Sequence, residues 1–290
     1  MNQQFNFKCA SGELEEIPQQ LLQKEQFSFP EVHLHAEEMV KLSKAIKDYR
    51  NEEYVKLPFC VTIEAEALGA KVNLGDKNIG PRISQYSINS IDELGDIPRI
   101  NYRKNRIKEV LDAIQILSDE GEKAILSVQG PYTIAQSLIE PKLLFKAARK
   151  DKDKVDKLLN LIEDEVVGYI KEGINRGVKI ISYSDSSGTL DILGPNMYEE
   201  LSGKYNLNVL KKVSKVLKDG IIHICGVTSA SLQNSGLIKS ISYELNEELT
   251  YSEAINKVID ENKNIKVIGH NCINRFNMKM KKPKVWVIEW

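Results

Sequence analysis

Short β-rich runs alternate with helical stretches along almost the whole chain, and this alternation limits the architecture more than any other feature. "YVKLPFCVTI" (54–63), "KAILSVQG" (123–130), "VKIISYSD" (178–185), "GIIHICG" (220–226), "LIKSISYE" (237–244), "IKVIGHNC" (265–272) and "KVWVIEW" (284–290) have strand character. Before and between the first of them lie helical segments with an apolar stripe. Met39, Leu42, Ile46 and Tyr49 fall on one face of 35–50, and Ile107, Val110, Leu111, Ile114 and Leu117 on one face of 102–120. Residues 142–176 give two helices, and "PNMYEEL" opens another with Pro195 in its first turn. Strands separated by helices of ten residues or more predict a parallel sheet. The near-continuous apolar run "VKIISY" predicts strands buried on both faces. Either an open doubly wound sheet or a closed barrel satisfies this pattern.

Polar residues that carry chemistry favour the barrel. They stand at the C-terminal ends of different strands: Glu64 and Glu66, Gln129, Asp185, His223 with Cys225, Glu244, and Cys272. A TIM-type (β/α)8 barrel brings all such ends to one mouth, whereas strands far apart in an open sheet cannot share a site. The expectation is an α/β fold, a single barrel domain over residues 1–290. Tyr183 and Ser187 are further candidates for the mouth.

"IIHICGVT" (221–228) is the most specific stretch. The chain has four histidines and four cysteines, and His223 and Cys225 sit two apart, hence on one face of a strand. Cys272, ending a later strand, offers a third donor. Cysteine sulfur and histidine nitrogen are the ordinary ligands of Zn²⁺. The chain contains no CxxC, so the paired knuckles of structural zinc sites are absent. Three ligands leave a position for an exchangeable group, and two thiolates with one neutral imidazole balance the charge of the ion. Buried side chains without a metal are the plainer reading, and it is the one given to Cys9 and Cys60. For His270 a structural role is favoured, and for His33 and His35 a cap or surface role.

Net charge of -1 gives no reason to expect a nucleic-acid or membrane-surface partner. No apolar run approaches the roughly 20 residues that span a bilayer. The start "MNQQFNFKCASGELEE" lacks a signal-peptide core, and four widely spaced cysteines make no disulfide framework. A cytoplasmic protein with reduced thiols is expected. Neither GxGxxG nor GxxxxGK[ST] occurs. "KMKKPK" (279–284) suits a solvated turn, with an electrostatic dock for an acidic partner as the alternative.

The blocks "PFCVTIEAEALGAKVNLGDKN", "GPYTIA", "ISYSDSSGTLDILGPNMYEEL", "HICG" and "GHNC" follow one another as in the methylcobamide:coenzyme M methyltransferases, the zinc-dependent branch of the uroporphyrinogen decarboxylase superfamily. The chain resembles this family over roughly residues 30 to 275. The resemblance implies a TIM barrel and a methyl transfer from a methylated corrinoid, carried on a separate protein, to a small thiol activated by zinc. The acceptor would be coenzyme M-like or homocysteine-like. It implies His223, Cys225 and Cys272 as zinc ligands, with Glu244 the first choice and Glu66 the second for a fourth. Asp185 and Glu66 are the candidate catalytic side chains at the mouth. The alternatives are a uroporphyrinogen decarboxylase-like enzyme with another substrate, or a non-catalytic barrel that binds a corrinoid or thiol. An arginine-bearing motif expected of the decarboxylase near its N-terminus is missing. Two departures point to an irregular or shortened barrel: little chain precedes "PFC", and one strand-helix unit fewer fits between "HICG" and Cys272. "FNFKC" (5–9) and "VWVIEW" (285–290) are candidates for replacement staves, the latter also for a dimer contact.

Overall fold

The computed structural model describes residues 5, 7, 17–24, 27–217 and 219–290. Cys9 lies outside the described residues, as does most of "FNFKC". Seven strands form the main sheet. They are β1 (Tyr54–Leu57), β2 (Lys123–Gln129), β3 (Ile180–Ser184), β4 (Ile221–Cys225), β5 (Lys239–Glu244), β6 (Val267–Asn271) and β7 (Lys284–Glu289). Their order across the sheet is β1-β2-β3-β4-β6-β7-β5. The first five neighbours pair in parallel, and β7 runs antiparallel to both β6 and β5. This is an α/β wall of the TIM-barrel type, irregular at the reversed β7, with no ladder joining β1 to β5 among the described residues.

The reversal of β7 goes with a connection that contains no crossover helix. Only residues 272–283 separate it from β6, and they hold no helix longer than the 3-10 turn Ile273–Arg275. A parallel return needs a crossover of a dozen or more residues, usually helical. The chain therefore turns back, and "VWVIE" slots between β6 and β5 as a reversed stave.

Strand alternation sorts the side chains. Val55, Leu57, Ala124, Leu126, Val128, Ile181, Tyr183, Ile222 and Ile224 face outward into a core shared with the helices Ala36–Arg50, Asn105–Asp119, Lys152–Asn175 and Lys204–Ser214. Tyr54, Ile125, Ile180 and Ile221 face the concave side. There they pack with Tyr251, Ala254, Ile255 and Val258 of the helix Tyr251–Glu261 and with Phe276. Part of the lumen is thus filled by a helix. A capping box fixes where that helix begins: Thr250 Oγ1 accepts from Glu253 N–H, and the Glu253 carboxylate accepts from Thr250 N–H.

Local chemistry accounts for several boundaries. β1 stops at Leu57, before Pro58, which has no N–H to donate to a ladder. The expected strand 54–63 is therefore four residues long, and Glu64 and Glu66 lie on the short helix Ile63–Ala67. Gly194 (φ 71) interrupts the helical stretch ahead of Pro195, and a π-helical turn Glu199–Gly203 joins it to Lys204–Ser214. No described helix is long and apolar enough to cross a membrane.

Candidate active site

A cavity of about 750 Å³ opens on the concave side of the sheet. Register sets its lining. Ile125, Ile180 and Ile221 are neighbours across β2–β4, and so are Ser127, Ser182 and His223 one layer higher. Gln129 pairs with Ser184 in the layer above. The wall therefore grades from apolar to polar toward the C-terminal ends of the strands, where Cys225 and Cys272 also line the cavity.

His223 is fully buried. Its Nε2 lies 3.2 Å from the Tyr251 hydroxyl, and the rings of Tyr251 and Phe276 meet it edge-on. Burial lowers its pKa to about 4, so the imidazole is neutral at pH 7. Its Nδ1 has no hydrogen-bond partner among the described residues. Cys225 ends β4 and caps the helix Gly226–Asn234. Gly226 has to be glycine, because a Cβ there would sit 2.4 Å from the Phe7 ring. The glycine of "HICG" is thereby explained by close packing.

Cys272 reaches the cavity through an irregularity. His223 pairs with Ile268 but Cys225 pairs with Asn271, so β6 carries an extra residue relative to β4. His270 lies in this stretch with φ 56, a conformation uncommon outside glycine. The Ser229 hydroxyl accepts its N–H at 2.8 Å, Ser240 Oγ meets its Nε2 at 2.7 Å, and the Phe5 ring stacks on it at 3.9 Å. His270 does not line the cavity; it holds the bulge that delivers Cys272. Cys60, Cys225 and Cys272 are not in disulfides. Among the described residues no three His, Cys, Asp or Glu side chains are gathered closely enough to hold a metal ion.

The carboxylates Glu64, Glu66, Asp185 and Glu244 are not among the residues that line the cavity. Glu244 is half-exposed at the end of β5 and pairs with Lys284 at 3.2 Å, two strands away from β6. The expectation that it approaches the cysteines does not match this placement, because β7 separates it from them. Glu66 pairs with the buried Arg106 at 2.7 Å, and Arg106 also donates to the His33 carbonyl and to Cys60 Sγ. Asp185 is fully buried and receives four donors: Thr133 N–H, the Thr133 and Ser202 hydroxyls, and Asn206 Nδ2. Gly130 and Gly188 press against it, since a Cβ at either would fall within 2.7 Å of its side chain. Glu64 is buried, accepts the Gln129 N–H at 2.9 Å, and is pushed up by burial to about 7. Tyr183 faces the helices, where its hydroxyl bonds Asn206. His33 is buried between Phe29 and Phe59 and lowered by burial to about 4, so it fills neither the cap nor the surface role expected of it, while His35 stands at the N-cap of the helix Ala36–Arg50.

The strand-end motifs did not point to Lys56, Ser127 and Ser182, which line the cavity. Their signal is the two-residue spacing: Ser127 stands two before Gln129, and Ser182 two before Ser184.

The family model described as uroporphyrinogen decarboxylase (URO-D) matches residues 15–243, well over half of the chain. The chain belongs to the URO-D family. Within it, the chain is 31% identical over 211 residues to the methylcobamide:CoM methyltransferase MtbA of Methanosarcina mazei, covering 70% of this chain and 61% of that protein. It is 27% identical over 210 residues to MtaA of Methanosarcina barkeri, covering 71% and 61%. A protein named uroporphyrinogen decarboxylase from Picrophilus torridus is 25% identical over 222 residues, covering 73% and 64%. The fold matches that of a solved methyltransferase from Methanosarcina mazei with a TM-score of 0.63 at 23% identity, over 73% of this chain and 63% of that one. The chain thus spans about three-fifths of the length of the methyltransferases it matches.

Proposed function

We propose that this chain is a methyltransferase that moves a methyl group from a methylated corrinoid, borne by a partner protein, to a small thiol. The observation that carries the reading is the placement of His223, Cys225 and Cys272 on one cavity, in a chain whose relatives are named methylcobamide:CoM methyltransferases. The donor chemistry fits zinc: one buried neutral imidazole with a nitrogen that lacks a described partner, and two thiols outside disulfides. His223, Cys225 and Cys272 would hold the ion, after side-chain movements that gather them. When bound, it would supply the positive charge that keeps a substrate sulfur as thiolate near pH 7.

The chain's own residues supply the rest. Tyr251 and Phe276 set the orientation of the His223 ring. Asp185 ties the loop after β3 to the helix Pro131–Leu138 and to Asn206, and so shapes the mouth as a positioning residue. Ser127, Ser182 and Gln129 offer hydrogen bonds to a bound thiol's polar tail. In the reaction the thiolate sulfur forms a bond to the methyl carbon and the cobalt–carbon bond breaks. Its electron pair remains on cobalt, leaving a thioether and Co(I). Holding the two reactants in line is the protein's contribution.

The test is zinc content of protein purified anaerobically with zinc supplied, alongside Cys225→Ala and Cys272→Ala, followed by methyl transfer from methylcobalamin to small thiols. About one zinc per chain, lost in both variants together with thiol methylation, is the expected result. Zinc content unaffected by either change would overturn the assignment.

A further inference from the structure

We propose that Cys60 is an oxidation site: a reactive thiol on the cavity that small hydroperoxides convert to a sulfenic acid. From the sequence this cysteine has the plain reading of a buried side chain without a metal. The structure places it differently. Cys60 is half-buried and lines the cavity. Its Sγ accepts from Nη2 of the buried Arg106 at 3.1 Å and lies 3.3 Å from Thr62 Oγ1. Thr62 Oγ1 itself accepts from Arg106 Nη1 at 3.4 Å, which leaves its hydroxyl proton for the sulfur. Glu66 takes the same Nη1 at 2.7 Å, so Nη2 remains with Cys60. Reactive cysteines occupy partly exposed surroundings beside a cation, whereas structural buried ones are inert. Cys60 has the first setting.

Two polar atoms around this sulfur lack partners. The Tyr169 hydroxyl is fully buried and has no hydrogen-bond partner among the described residues. Burial raises its pKa well above the ordinary value, and the nearby Glu64 and Cys60 raise it further while Arg106 opposes them. The hydroxyl thus stands beside the cluster with a proton to give and nothing described to take it. On the other flank the buried His33 offers its carbonyl to Arg106 Nε at 2.9 Å, and its Nδ1 is without a described partner. Such atoms, set around one guanidinium and one sulfur, fit a small guest that both donates and accepts hydrogen bonds, as a hydroperoxide does. In the reaction the sulfur attacks the terminal peroxide oxygen. An S–O bond forms and the O–O bond breaks. The departing oxygen leaves with the electron pair and takes the thiol proton, giving water or an alcohol. Sulfur is oxidised and the peroxide reduced. Arg106 and Tyr169 steady the charge on the departing oxygen.

The experiment exposes the purified protein to hydrogen peroxide, traps sulfenic acid with dimedone and follows Cys60 by peptide mapping. Wild type, Arg106→Gln and Thr62→Val are compared, with urea-unfolded wild type as the reference. Cys60 of the folded wild type is expected to react about tenfold or more faster than Cys60 of the unfolded chain. Arg106→Gln should lower the rate about tenfold. If that variant loses its cooperative melt, Thr62→Val, which removes only the hydroxyl, is read in its place, with a drop of about threefold. A folded-state rate at or below the unfolded one, or a rate that neither substitution changes, overturns the proposal. Adducts confined to Cys225 or Cys272 overturn it as well and leave Cys60 a structural thiol. Zinc content and thiol methylation play no part in either outcome.

Discussion

Asp185 shows how a residue that looks catalytic in sequence can be needed for architecture. It ends a buried strand in a family block, yet its two oxygens are taken up by four donors from three separate segments. Asp185→Asn puts an amide N–H where a donor already points and removes the charge that strengthens the remaining bonds. A loss of about 2–4 kcal/mol is expected, read as a lower urea midpoint at unchanged m-value, with zinc content retained. Glu64 gives a test in pH. Its folded pKa of about 7 stands above the ordinary 4.5, because burial penalises the carboxylate. Between those values the unfolded chain gives up a proton that the folded chain keeps. The contribution of Glu64 to stability is therefore present below pH 4.5 and declines as pH rises to about 7, by roughly 3 kcal/mol in all. The difference between wild type and Glu64→Gln should drift in the variant's favour over that window and level off above it. A constant difference from pH 4.5 to 8 would show that the carboxyl is not shifted.

The strand-helix alternation carries most of the architecture, and its limits are physical. β2, β3 and β4 are legible because a strand buried on both faces is apolar almost throughout, as "KAILSV", "IISY" and "IIHI" are. The pair His223 and Cys225 is legible because a period of two puts them on one face whatever the surroundings. Cys272 is legible only as a strand end, since the bulge at His270 that sets its direction depends on Ser229, Ser240 and Phe5, all distant in sequence. Glu244 shows the opposite limit. Its place at the end of "SISYE" is plain, but which neighbour that strand takes is decided by β7, more than forty residues on. Lys56 escaped notice for a related reason: a lysine on a short strand has no local mark that separates the lumen from solvent. The helix Tyr251–Glu261 has an ordinary amphipathic pattern, and nothing local says that its apolar face meets the concave side of the sheet, where a full barrel would have only strands.

At the level of the whole molecule, two devices depart from a regular strand-helix wall, a reversed stave and a helix packed on the concave face. β7 lies late in the sequence, near the end of the described residues. Here it is internal to the sheet: it pairs with β6 on one side and along all six residues with β5 on the other. Val285, Val287 and Ile288 are buried, and Val285 and Val287 join the same cluster as Ile255 and Tyr251 of the lumen helix. Burying each of these three side chains contributes about 1.5–3 kcal/mol, against a total domain stability of about 5–15 kcal/mol. Ending the chain after Pro283 removes all three and strips β5 of its ladder, so the truncated protein should lose its cooperative thermal transition. Val287→Ala alone should stay folded with a stability lower by about 1–3 kcal/mol. Circular dichroism melts of the two variants decide the matter. A truncated chain that still melts cooperatively near the wild-type temperature would mean that β7 covers a finished sheet. A lost transition would mean that the reversed strand completes the wall on which His223, Cys225 and Cys272 are set.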